Sequence, residues 1–127
     1  MQLPEVDESY LCDKGYKWQL FPDAAGACLV IRDFAVSASL YGREQTDLMI
    51  RIPAQYNIAG LDMFYVNPEL KLSATGSYPE AASHFEDHVG KRWQRFSRHL
   101  TVTPWRAGVD GLRMFLALIR KELQAKG

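Results

Sequence analysis

The sequence predicts an α+β fold in which a meander of antiparallel strands is followed by one amphipathic helix. Short apolar or alternating stretches, separated by turn signals, fill the first half of the chain, as is typical of strands. A segment near the C-terminus instead carries apolar side chains at helical spacing. The length of 127 residues suits a single domain with a real core and is too short for two ordinary domains.

Four strands are expected in the first half, with short links that favour a meander of hairpins. Turn residues separate them at 22–26 and 41–45, Pro53 ends the third, and Asn67-Pro68 closes the fourth. The predicted strands are 16–21, 27–35, 47–52 and 61–66.

The remaining segments are a polar N-terminus, a long irregular stretch and the helix. Residues 1–15 leave room for at most a short helix before the turn at 13–15, so an N-terminal helix is expected to be reduced or absent. Residues 71–92 contain several helix and strand breakers and are predicted to be a long loop. Asp110 is predicted to cap a helix whose apolar face consists of Leu112, Phe115, Leu116, Ile119 and Leu123.

Composition argues against a strong affinity for nucleic acid or membranes. Fifteen acidic residues balance fifteen basic ones, and the apolar runs fall well short of the ~20 residues that cross a bilayer. The N-terminus lacks the pattern of a signal peptide. We therefore expect a cytoplasmic protein whose two cysteines are reduced, with Cys28 an inert core thiol and Cys12 lacking a catalytic partner nearby.

The segment 92–106 has the most unusual chemistry. Its fifteen residues hold a hydroxyl (Ser97), an imidazole (His99), two tryptophans and several arginines. If residues 96–100 are extended, Ser97 and His99 project from the same face, and His99 is placed to act as a general base. Arginines nearby are suited to stabilise a developing oxyanion.

The order of these signals resembles the ubiquitin-conjugating (UBC) fold, in the bacterial form called prokaryotic family E. Tyr56-Asn57 stands where the family has a Tyr-Pro-type turn, and Asn67-Pro68-Glu69 where it has a His-Pro-Asn-type turn. A tryptophan, Trp105, and the helix over 110–124 complete the series. The strings at 93–99 and 104–112 are similar to the family's own signature.

This resemblance implies an acyl carrier in which Ser97, eight positions before Trp105, replaces the reactive cysteine. It implies catalytic roles for Ser97, His99 and Arg98, and substrate binding by Arg95, Arg106 and Trp105. The partners implied are a ubiquitin-like modifier, a ThiF-type activating enzyme and, in the same pathway, a JAB-type peptidase, with no cofactor, nucleic acid or membrane. The sequence departs from the family pattern at Glu69, which stands where the asparagine that helps to stabilise the oxyanion is expected, and in the stretched 71–92 link.

Other interpretations remain open. Loss of the cysteine also fits an inactive module of the same fold that only binds a ubiquitin-like protein. Basic residues interleaved with Trp93 and Phe96 fit a nucleic-acid binder, provided that those aromatic rings are exposed. His99 also suits a structural hydrogen bond, and Arg106 a pairing with Asp110.

A zinc half-site is a further alternative. His84 and His88 would share a face if they lay on a helix. The sequence signals no third ligand for such a site, so we expect no metal.

Overall fold

The computed structural model describes residues 2–97 and 104–125. It contains nine elements in the order α1 (Glu5–Asp13), β1 (Lys17–Asp23), β2 (Gly26–Ala35), α2 (Ala38–Tyr41), β3 (Gln45–Pro53), β4 (Phe64–Asn67), β5 (His84–His88), β6 (Lys91–Phe96) and α3 (Leu112–Leu123). The predicted α+β class is confirmed. The N-terminal helix, which was expected to be reduced or absent, is present as the nine residues of α1.

The described strands form one antiparallel sheet in the order β1-β2-β3-β4-β6-β5. The first four strands follow one another as the predicted meander. The expected count of four was wrong, because β6 pairs with β4 and β5 completes the sheet at the other side of β6. The hairpin of β5 and β6 begins inside the stretch 71–92, which is therefore not irregular throughout.

The hairpin was missed because its turn lacks the usual residues. The pair His88 and Lys91 closes a loop of two residues, Val89 and Gly90, both with positive φ (52° and 70°). This type of hairpin turn normally carries Asn-Gly or Asp-Gly, and a β-branched valine in its first position gives no turn signal. The strand before it, His-Phe-Glu-Asp-His, is also too polar to be recognised by apolar alternation.

The main core lies between one face of the sheet and α3. The predicted apolar stripe of α3 is buried against side chains that alternate along β2, β3 and β4, such as Leu29, Ile50 and Phe64. The helix starts differently from the expectation, because its N-cap is Gly111 and no side chain caps it. Asp110 lies just before the helix and uses its carboxylate to bind Arg106 instead.

The opposite face of the sheet carries a second, smaller cluster of buried side chains. Its members are Cys28, Val30, Met49, Tyr65 and Trp93, with Phe21 packed at its margin. Trp93 pairs with Glu86 across the hairpin, and Tyr65 pairs with Arg95 across β4 and β6. The charged side chains of Glu86 and Arg95 therefore lie on this second face, away from the helices.

A buried glutamine joins the sheet to the segment that precedes β5. Gln94 accepts a hydrogen bond from Leu70 N (2.7 Å) and donates to Leu70 O (3.0 Å) and Ala82 O (2.8 Å). Because buried polar groups are costly unless paired, these three bonds fix both ends of the 70–82 segment against β6. The same segment also contacts Ser97, the residue that follows β6, through the backbone of Ala81.

Candidate functional site

Ser97 lies immediately after β6 and is half-buried. Its backbone N–H donates to Ala81 O (3.0 Å), so the segment fixed by Gln94 also fixes the main chain of Ser97. Its Oγ accepts a hydrogen bond from Arg95 Nε at 2.7 Å. The hydroxyl is thus held next to a cation at the end of a strand.

The Arg95 guanidinium bridges Ser97 and an acidic residue. While Nε faces Ser97, Nη1 donates to Glu86 Oε2 at 2.6 Å. Both Arg95 and Glu86 keep about a quarter of their side-chain surface exposed, at 28% and 27%. The pair is therefore reachable from solvent yet screened less than a fully exposed ion pair.

Glu86 gathers further donors from both sides. His88 Nε2 lies 2.9 Å from Glu86 Oε1, and Tyr65 Oη donates to the same oxygen at 3.4 Å. Burial would raise the pKa of Glu86, but the hydrogen bonds from His88 and Arg95 outweigh it and lower that pKa. Because a carboxylate oxygen accepts, His88 Nε2 is the donor in this contact. Burial and the charge of Glu86 raise the pKa of Tyr65 to about 12, so the phenol stays a donor.

Two predicted catalytic residues, Arg98 and His99, lie outside the described residues. Of the segment 96–100 that was expected to be extended, the structure describes residues 96 and 97, and β6 ends at Phe96. Arg95 is the predicted site residue that the described contacts bring together with Ser97.

Trp105 and Arg106 lie in a second group of contacts, around Asn57. Trp105 Nε1 donates to Asn57 O (2.9 Å), and Asn57 Nδ2 donates to Asp110 O (2.8 Å). Arg106 is bound to Asp110 through its backbone N–H (2.8 Å) and its guanidinium (2.8 Å from Nη2). These bonds lower the pKa of Asp110, with the backbone bond the larger cause. Among the residues that the structure describes, no contact joins this group to Arg95.

A groove of about 600 Å³ opens beside this second group. It runs between the start of α1, the loop at Asn57 and the start of α3, and exposed Val6 and Val109 contribute apolar surface to it. Arg106 and Arg113 line it as well. The groove therefore combines apolar surface with cationic groups and with the carboxylates of Asp7 and Asp110.

Tyr56 lies next to Asn57 and links α1 to α3. Its hydroxyl donates to Asp7 Oδ2 (2.7 Å) and accepts from the backbone N–H of Leu112 (2.7 Å), linking α1 to the first turn of α3. Burial raises the pKa of Asp7, although the hydrogen bond from Tyr56 opposes the rise. Tyr56 and Asn57, where the sequence resembles the family's turn, therefore make hydrogen bonds that hold α1, the 105–110 loop and the start of α3 together.

The two histidines considered for zinc lie on a strand and not on a helix. His84 and His88 are the ends of β5 and share its face with Glu86, because side chains two apart project to the same side. His88 contacts Glu86 closely, whereas His84 Nε2 lies 3.9 Å from it. No group of three ligating side chains able to hold a metal ion occurs among the described residues.

Burial removes the basis for the nucleic-acid interpretation. Trp93 and Phe96 are 1% and 0% exposed, and Trp93 Nε1 donates to His88 O (2.8 Å). Rings in the core cannot stack on bases, which that interpretation requires.

The two cysteines are free and do not pair. Cys28 is buried as predicted, and burial raises the pKa of its thiol even though Arg51 Nη1 lies 2.7 Å from Sγ. Cys12 is exposed on α1.

Glu86 is the functional candidate that the sequence analysis missed. It lies in the stretch expected to be a loop, and only the β5–β6 register brings it next to Arg95. The signal that could have found it is the alternation of His84, Glu86 and His88, which is the spacing of one face of a strand.

The described chain has an N-terminal helix, an antiparallel sheet that begins as a meander, and a C-terminal helix, and it is E2-like by family. The chain belongs to prokaryotic E2 family E, whose model matches residues 3–126. The resemblance seen in the sequence is therefore confirmed. No curated protein and no solved structure shows significant similarity to the chain. None of the helices in the described part of the chain is long and apolar enough to cross a membrane.

Proposed function

We propose that this E2-like protein is an acyl carrier for a ubiquitin-like modifier, with Ser97 as the acceptor. The modifier's C-terminal carboxyl would arrive as a thioester on a ThiF-type activating enzyme and leave as an amide on an amine. The observation that carries the proposal is the 2.7 Å hydrogen bond from Arg95 Nε to Ser97 Oγ, in a chain of an E2-like family.

The first step is a transesterification. Ser97 Oγ attacks the thioester carbonyl carbon, the new C–O bond forms, the C–S bond breaks, and the hydroxyl proton passes through a base to the departing thiolate. A serine hydroxyl needs help for this at neutral pH, and Arg95 supplies a fixed positive charge where negative charge develops on Oγ.

The second step returns the serine to its starting state. The acceptor amine attacks the ester carbonyl, the C–O bond breaks, and Oγ recovers a proton as the amide forms. His99 is our proposed general base and Arg98 our proposed oxyanion donor, both from their positions in the sequence.

Substrate binding is proposed at the groove beside Asn57. Arg106 lines the groove, and Trp105 adjoins it through its hydrogen bond to Asn57. The apolar wall of the groove suits the extended C-terminal tail of a modifier. Because Arg106 is already paired with Asp110, it would act through hydrogen bonding and packing more than through net charge. Arg95 is proposed to bind the reacting carboxyl end of the tail, because it lies next to Ser97.

The pathway follows from this chemistry. A ubiquitin-like protein and a ThiF-type activating enzyme are the required partners, and a JAB-type peptidase would reverse the reaction, all in the cytoplasm. No cofactor is needed, because the activating enzyme supplies the energy of the thioester.

The test uses the linkage chemistry of three variants. The protein is incubated with a ubiquitin-like protein, its ThiF-type activating enzyme and ATP. Wild type should give an adduct that resists thiol reductant and is cleaved by hydroxylamine. Ser97→Cys should convert it to a reductant-sensitive thioester, and Ser97→Ala should abolish it. Ser83→Ala, at an exposed serine just before β5, is the matched control and should behave as wild type.

An adduct that persists in Ser97→Ala would overturn the proposal. If wild type forms no adduct yet binds the modifier, the protein is the inactive binding module considered above.

A further inference from the structure

Three donors from three strands converge on the Glu86 carboxylate. Arg95 Nη1 (2.6 Å) comes from β6, His88 Nε2 (2.9 Å) from β5 and Tyr65 Oη (3.4 Å) from β4. One carboxylate oxygen is used by the arginine and the other by the histidine and the tyrosine. The carboxylate is therefore oriented from both sides.

This arrangement controls where the Arg95 guanidinium points. The guanidinium is planar and rigid, so a carboxylate that holds Nη1 also sets the direction of Nε. Nε in turn lies 2.7 Å from Ser97 Oγ. Without the carboxylate, the long and flexible arginine side chain is open to solvent, and the described residues offer no other charged partner to hold it.

We propose that Glu86 is a positioning residue for the acyl-transfer reaction, acting on Ser97 only through Arg95. This inference rests on the proposed function for its reaction and on the structure for its geometry. Glu86 and Arg95 keep their salt bridge throughout the reaction. Neither gains nor loses an atom while Oγ exchanges its proton for the acyl group.

A purely structural role for Glu86 would be to hold β5 against β6. The two roles differ in what Glu86→Gln does. The amide keeps the size of the side chain and one acceptor oxygen, but it loses the charge and presents N–H donors toward Arg95 or His88. The hairpin keeps its backbone ladder, whereas the guanidinium loses its anchor.

The first readout needs no partner protein. The Arg95 Nε–H signal is followed by NMR, and its exchange with water is measured in wild type and in Glu86→Gln. We expect Glu86→Gln to speed this exchange at least about tenfold, because a released guanidinium leaves Ser97 Oγ. Glu44→Gln, at an exposed glutamate before β3, is the matched control and should leave the signal unchanged.

The second readout is acylation of Ser97 by a small probe, the phenyl thioester of acetyl-Gly-Gly. We expect Glu86→Gln to lower the acylation rate about 10- to 100-fold, with little change in the concentration for half-maximal rate. Arg95→Lys should have a similar effect, and the double variant should be no slower than the worse single one, because both act through one group.

If Glu86→Gln folds poorly, Glu86→Asp is the second variant, since it keeps the charge but shortens the reach to Arg95. It should also speed the exchange of the Arg95 Nε–H with water and lower the rate at which the thioester probe acylates Ser97. An Arg95 signal unchanged in both variants, or additive effects in the double variant, would overturn the positioning role. If wild type is not acylated but Glu86→Gln still releases the Arg95 Nε–H, the positioning of Arg95 stands and the proposed acyl-carrier function fails.

Discussion

Arg95 and Ser97 are two residues apart in the sequence, and the guanidinium Nε of the first donates a 2.7 Å hydrogen bond to the hydroxyl of the second. The spacing places both at the end of β6, where Arg95 is still in the strand and Ser97 has just left it. A short-range bond of this kind fixes a hydroxyl beside a positive charge without distorting the sheet. For the proposal that Ser97 is the acyl acceptor, this pairing is the feature to test first.

Arg95→Lys should slow acyl transfer to Ser97 about 10- to 100-fold. The planar guanidinium of Arg95 donates to Glu86 through Nη1 and to Ser97 through Nε. A lysine ammonium is a point charge and cannot make both hydrogen bonds in this fixed geometry. The measurement is the rate of hydroxylamine-sensitive adduct formation. Arg92→Lys is the control, because Arg92 stacks over the Phe85 ring (4.7 Å) on the other side of β6. Equal rates for Arg95→Lys and wild type would contradict the role of Arg95.

Gln94→Leu should reduce the free energy of unfolding by about 3 kcal/mol. The substitution leaves the backbone groups of Leu70 and Ala82 buried without the partner that Gln94 provides. Urea denaturation measures the effect, with Gln55→Leu at an exposed loop position as the control. A loss no larger than that of the control would show that the 70–82 segment does not depend on this side chain.

Asp7→Asn should raise the melting temperature at neutral pH by about 1–3 °C. Burial raises the pKa of Asp7 in the folded state, so the folded protein binds this proton more tightly than the unfolded chain. Stability is therefore greatest below the unfolded value and falls as pH rises through the folded pKa. Asparagine removes that fall while its side-chain oxygen still accepts from Tyr56.

The check on Asp7 is a series of thermal melts across acidic and neutral pH. The curves of wild type and Asp7→Asn should separate as the pH rises. Exposed Asp87→Asn, on β5, serves as the comparison. A variant less stable than wild type at neutral pH would mean that the charge of Asp7, and not only its hydrogen bond, stabilises α1.

Gly60→Ala should destabilise the protein by about 1–3 kcal/mol. A Cβ at Gly60 would lie 2.6 Å from Trp105 Cγ, so the indole must shift and its bond to Asn57 O must stretch. In the double variant with Trp105→Ala the clash disappears, and the two losses should be less than additive. Full additivity would show that the indole moves aside at no cost.

The sequence predicted the parts of this fold that depend on apolar spacing. The strands β2 and β3, the position of α3 and the buried Cys28 follow from alternation or helical period and are found as expected. It missed β5, because a strand of His-Phe-Glu-Asp-His with a valine in its turn is held by cross-strand pairing with β6 and not by its own pattern. Asp110 was misassigned since a carboxylate before a helix can equally bind a nearby arginine, as it does with Arg106.

Only the residues of the candidate site that are neighbours in the sequence could be predicted. Ser97 and Arg95 stand in one short string, so the sequence placed them together. Glu86 reaches them only through the register of the β5–β6 hairpin, and the Val89-Gly90 turn of that hairpin gives no turn signal in the sequence.

The most direct test of the central claim is to locate the acyl group. The protein is loaded with a ubiquitin-like protein, its activating enzyme and ATP, then digested and mapped by tandem mass spectrometry with and without hydroxylamine. We predict a modifier remnant on Ser97 that hydroxylamine removes and thiol reductant does not. A remnant on Cys12 or on a lysine with Ser97 unmodified would contradict the claim, as would its complete absence under conditions in which the activating enzyme itself is charged.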